Sequence, residues 1–240
     1  MNIVQEKNVT RNLVLLLLGL VVIYLLQKNG NFFPIFFLLL SIFLIHKNKS
    51  GFSKTDFFIG IILAVISLNP IYAICIAFGY VGAKQLYEKS NNKINLIPNT
   101  KKEIILYGAL PAVLMTLLNI VWMKQSNTIN FSLKVNAIAG SLIASIPAEL
   151  LFRYLVFAAC IYIGKDKGFS KIQNILCYAI LIIPHVLMHF PVGSEMNIVD
   201  LGIMSVFGIV LTFIQRKSSL ILAIGVHFII DFFRIIIFGV

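Results

Sequence analysis

The sequence predicts an all-α polytopic membrane protein, a bundle of eight or nine transmembrane helices around an intramembrane polar cavity. Three observations carry this. Of 240 residues, 59% are hydrophobic and only 12% charged, with a mean hydropathy of +0.95; a soluble domain carries about 25% charged residues. The apolar residues gather into nine runs. The cations between the runs fall mostly on alternate sides, as membrane topology demands.

In chain order the runs cover 13–26, 32–45, 57–68, 71–86, 104–122, 135–163, 172–190, 201–215 and 220–238. Several fall short of the ~20 residues a full span needs. The first run is followed by Gln27, Lys28, Asn29 and Gly30 rather than a small-residue cleavage site, so it reads as a span and no cleavable signal is evident. The third and fourth runs meet at Asn69-Pro70, which admits a hairpin of two helices or one broken helix. The polar connector 89–102 separates an N-terminal group of four runs, 1–100, from a C-terminal core, 101–240, within one transmembrane domain.

With the N-terminus cytoplasmic, inside segments carry fifteen Lys and Arg and outside loops three: Lys28, Lys124 and Lys134. Losing one span near Asn69 would invert everything after it and spoil the bias. The net charge of +11 therefore reads as topology signal and contact with anionic lipid, not nucleic acid. Cys75, Cys160 and Cys177 lie in apolar runs without CxxC spacing, as small buried hydrophobes do, and predict neither a disulfide nor a zinc cluster.

The sixth run contains Ser145-Ile146-Pro147-Ala148-Glu149-Leu150-Leu151-Phe152-Arg153. A charge at bilayer depth costs at least a few kcal/mol and normally has a partner and a purpose. Glu149 and Arg153 are spaced i, i+4 and can pair on one helix face. Pro147 lacks an N–H and predicts a kink just before Glu149. Glu149 and Asp231 are the two acids well inside runs, and three of four histidines, His185, His189 and His227, are there too. His185 and His189 are i, i+4, as are His227 and Asp231. Singly, each pair has an ordinary explanation: a structural ion pair, packing histidines, or a carboxylate fixing an imidazole tautomer. Three such pairs in three late runs predict one polar site. Arg234, one turn beyond Asp231, reads as an interfacial or Asp-pairing residue.

Glu149-Leu-Leu-Phe-Arg153, His189-Phe190-Pro191 and His227-xxx-Asp231 resemble the three motifs of the CPBP intramembrane proteases, which include CAAX prenyl endopeptidases and Abi-type proteins. The family patterns are EExxxR, FxxxH and HxxxN or HxxxD, and the likeness covers about residues 135–238. The resemblance implies a helical protease that hydrolyses a membrane-associated or prenylated peptide inside the membrane of a prokaryotic cell. It assigns water activation to the first Glu and site organisation to the second Glu and the Arg. Water holding and oxyanion stabilisation fall to the histidines with the Asn or Asp. It leaves metal dependence open. A zinc ion on Glu149, His189 and His227 is the set this sequence would offer, and the sequence fixes no cofactor.

The sequence departs from the pattern twice. The leading Glu is Ala148, whose methyl group accepts no proton, and on an α-helix Glu149 points about 100° away. The alanine admits both a natural loss and an introduced change. The second motif lacks its Phe: His185 stands four residues before His189, and Leu181 four before His185. The following Phe-Pro favours His189. Depth favours His185, which lies roughly 20 Å in, level with Glu149, against roughly 26 Å for His189. The sequence leaves both open. The expectation is a CPBP-type peptidase, catalytically silent at position 148. Its rivals are a non-catalytic scaffold or bacteriocin-immunity protein that binds a peptide and, last, a proton-coupled transporter, which would want broken helices in both halves.

Overall fold

The structure is a computed structural model that describes residues 3–48, 53–132, 135–165 and 168–239. Lys49, Lys134 and Lys167, which enter the loop-charge argument, lie outside the described residues. Among the described residues nine helical segments follow one another: α1 Ile3–Leu26, α2 Phe32–Asn48, α3 Lys54–Ile66, α4 Ala73–Lys89, α5 Lys101–Met123, α6 Val135–Gly164, α7 Lys171–Leu187, α8 Ile198–Lys217 and α9 Leu220–Phe238. Five are long and apolar enough to cross a membrane, with α2 and α7 shorter but apolar. The chain is a multi-pass, all-α membrane protein. Many large apolar side chains point outward, among them Leu15, Leu18, Leu39, Val65 and Val121. Such a surface suits lipid and would be untenable in water.

Helix ends follow local chemistry. Ser53, Thr100, Ser170, Asn197 and Ser219 cap α3, α5, α7, α8 and α9 through side-chain oxygens that accept backbone N–H groups. α1 starts ten residues before its apolar run, because residues 3–12 continue the helix as a polar turn sequence, with Thr10 Oγ1 donating to the Glu6 carbonyl.

The Asn69-Pro70 region resolves as a hairpin. Leu68 turns the chain with φ of 51°, and Asn69 Oδ1 accepts from Tyr72 N at 3.3 Å. α3 and α4 approach so closely that a Cβ at Gly60 would stand 2.7 Å from the Ala77 carbonyl oxygen. Only glycine fits that crossing. At thirteen residues, about 20 Å, α3 is shorter than the hydrocarbon layer.

α6 is the axis of the molecule. Its 18-residue apolar window is 89% buried, against 22–39% in the other four long helices. The helix does not break at Pro147. Pro147 keeps helical angles (φ −61°, ψ −39°) and the helix instead widens into a π segment over Ala148–Leu155. The widening absorbs the missing donor without breaking the helix, and such segments recur at functional sites.

Polar bonds fix the neighbours. α1 runs parallel to α7, with Gln173 Nε2 donating to the Glu6 carbonyl at one end and Tyr24 donating to the Phe190 carbonyl at the other. Trp122 at the end of α5 donates to Asp200 at the start of α8. The polar connector is not slack: Leu220 N and Ile221 N donate to the carbonyls of Asn95 and Leu96, and Ser218 Oγ donates to Glu103. Both helix groups contribute to one buried apolar cluster, with Leu13, Phe37 and Tyr80 beside Leu150, Leu181 and Leu220.

Candidate active site

α6 sets the site. Glu149 and Arg153 are both 0% exposed and pair with each other through Oε1 and Nη1. α8 supports them with polar side chains one turn apart: Arg153 Nε donates to Thr212 Oγ1 at 3.3 Å, and Gln215 Nε2 donates to the Glu149 carbonyl at 2.9 Å. α9 brings His227 and Asp231. His227 Nδ1 lies 2.8 Å from Glu149 Oε1 and Nε2 lies 3.3 Å from Asp231 Oδ2. Arg234 Nη2 pairs with Asp231 Oδ1 at 3.3 Å, so it is an Asp-pairing residue. The cluster thus sets two carboxylates against two guanidinium groups with His227 between them. Buried charges persist when so matched and bonded.

α7 supplies the histidine pair. The His185 ring lies 6.0 Å from His227, 5.1 Å from His189 and 5.5 Å from Phe152. His185 is within the helix and half-buried, whereas His189 lies past its end and is exposed. The ring against His185 comes from Phe152 of α6.

The guanidinium groups, the three histidines and Asp231 face a cavity with about 40 Å³ of room for water centres, enough for about two or three waters. Its walls are Arg153, His185, His189, His227, Asp231 and Arg234, with Asn119 of α5 opposite and apolar residues of α8 and α9 completing it. Asn119, Thr212 and Gln215 escaped the sequence reading. Asn119 is the single amide in the run 104–122, and a polar side chain amid such a run was the available signal. Ala148 is buried and does not line the cavity.

The zinc set Glu149, His189 and His227 does not fit. Glu149 Oε1 and both nitrogens of His227 are spent on one another, on Arg153 and on Asp231, while Glu149 Oε2 is buried without a hydrogen-bond partner among the described residues. No group of three or more His, Cys, Asp or Glu placed to hold a metal occurs among the described residues. Cys75, Cys160 and Cys177 are free and buried.

Residues 130–233 match the family model of the type II CAAX prenyl endopeptidases, Rce1-like. This C-terminal part of the chain is similar to the Rce1-like CAAX-protease family. The match takes in α6 to α9 almost entirely, and so every cavity residue except Asn119 and Arg234. Comparison with curated proteins and with solved structures gave no match.

Proposed function

We propose that this Rce1-like chain binds a membrane-associated or prenylated peptide at the cavity between α5 and α9, and that in its present sequence it hydrolyses that peptide poorly or not at all. The N-terminus is cytoplasmic, the membrane is that of a prokaryotic cell, and lipid is the other partner. The observation that carries the reading is that the one carboxylate among the described cavity-lining residues is already paired. Asp231, the single acid in the wall, is held by Arg234 and His227; Glu149 is sealed behind Arg153 and His227.

Peptide hydrolysis needs a base that takes a proton from water and fixed donors where the oxyanion forms. Both His227 nitrogens face carboxylate oxygens, which accept and do not donate. Neither nitrogen is left to accept a proton from water. Arg234, Asn119 and His185 supply polar groups to the cavity, so donors exist for the oxyanion while the base does not. Position 148, where the family pattern carries its leading Glu, holds a methyl group.

The test is Ala148→Glu, assayed for cleavage of a farnesylated peptide in liposomes. A positioned general base contributes about 10²- to 10⁴-fold, so turnover should rise by that factor and disappear again when His227→Ala is added. Full-rate turnover by the chain as it stands would refute the role given to position 148. A folded Ala148→Glu protein that binds the peptide without cleaving it would favour the non-catalytic scaffold.

A further inference from the structure

A second polar recess lies at the opposite end of α7. Asn174, in its wall, is eleven residues before His185, roughly 16 Å along the helix. The recess has a volume of about 420 Å³ and is lined by Asn91, Asn92, Lys93, Asn174, Tyr178, Phe157, Arg216 and Lys217. Three cations and three amides meet there, and none of the described wall residues is an acid. At its centre the Arg216 guanidinium is clamped between two rings, 4.4 Å from Phe157 and 4.7 Å from Tyr178. Nη2 donates to Asn174 Oδ1 at 3.0 Å, while Nη1 is buried without a hydrogen-bond partner among the described residues.

This is an unusual investment for a helix-end arginine, which ordinarily reaches to water. The stacked rings and Asn174 fix the plane of the guanidinium, removing the side-chain freedom that an anion would otherwise have to quench. Lys93 and Lys217 are exposed at the rim and add two mobile ammonium groups. A planar fork with point charges beside it matches a phosphate group. The position, at the ends of α7 and α8, is where a headgroup would lie.

We propose that this recess is a phosphate-binding site, occupied by the headgroup phosphate of an anionic phospholipid or by a soluble phosphate compound. The purified protein in neutral detergent should show a saturable rise in melting temperature on adding phosphatidylglycerol, because a ligand bound only by the folded state stabilises it. Phosphatidylcholine should give none. Arg216→Gln should abolish the rise. Lys93→Gln with Lys217→Gln leaves the clamped arginine in place, so folding is preserved. It should weaken binding about thirtyfold, from the roughly fivefold each such lysine contributes near anionic lipid. Lys28→Gln, at the far end of the bundle, should leave it unchanged. If inorganic phosphate at millimolar concentration gives the same Arg216-dependent shift and blocks the lipid, the occupant is a soluble phosphate. Equal shifts with phosphatidylcholine, or shifts that survive both sets of substitutions, overturn the proposal.

Discussion

The Glu149–Arg153 pair lends itself to a double-mutant cycle whose outcome is set by burial. Both side chains are 0% exposed. Arg153 bonds Glu149 and Thr212; Glu149 bonds Arg153 and His227. Replacing either partner alone strands the other charge away from bulk solvent. Breaking a buried pair from one side costs about 3–5 kcal/mol in soluble proteins. In a membrane the unfolded reference also finds polar partners, which argues for the lower end. Glu149→Leu and Arg153→Met should therefore each cost about 3 kcal/mol. Independent effects would sum to about 6 kcal/mol. Removing both charges strands neither, so the double variant should cost about 3 kcal/mol, an interaction energy at the top of the range for contacting residues. Sodium dodecyl sulfate unfolding in bicelles would measure this. The one tryptophan, Trp122, hydrogen-bonded to Asp200 across α5 and α8, gives a fluorescence probe remote from the substitutions. A double variant near 6 kcal/mol, or single variants costing under about 1 kcal/mol, would refute the buried coupling.

The same unfolding assay checks two further outcomes. Gly60→Ala places a methyl 2.7 Å from the Ala77 carbonyl oxygen and should cost about 1–3 kcal/mol through forced separation of α3 and α4; a cost within 0.5 kcal/mol of zero would contradict that crossing. Thr212→Val removes the acceptor of Arg153 Nε and should cost about 1.5–3 kcal/mol, the worth of a bond to a charged group, while Thr212→Ser should be close to neutral. Equal behaviour of the two variants would mean that Thr212 does not hold the arginine.

Much of this molecule was legible because lipid enforces simple rules. A run of apolar residues must become a helix in hydrocarbon, since no water satisfies the backbone there. Each of the nine runs accordingly overlaps a helix. The Glu149–Arg153 and His227–Asp231 pairs were legible for the same reason, because an ionisable side chain in such a run is too costly to be incidental. What stayed hidden was what a one-dimensional reading cannot hold. The ion pair Arg153–Glu149 needs Thr212 and Gln215 beneath it, and these come from a helix some sixty residues on. Thr212 and Gln215 fall in the last turn of their run, next to Arg216 and Lys217, so nothing in the sequence of α8 marked them out. The helical path after Pro147 was hidden too. A proline inside a helix predicts a kink, and the sequence does not say whether the freed carbonyl is met by bending or by widening.

That choice bears directly on the chemistry. An α-helical step of about 100° would turn Glu149 well away from the direction of position 148. In the π segment Ala148–Leu155 the step is smaller, and Glu149 lies against His227 as well as Arg153. The second acid of the motif is therefore already spent as the charge partner of both Arg153 and His227. It cannot leave to serve as a base without stranding two buried groups at once. On the proposed reading a base has to come from another residue, and position 148, one step along the widened turn, is where a gain of activity is expected.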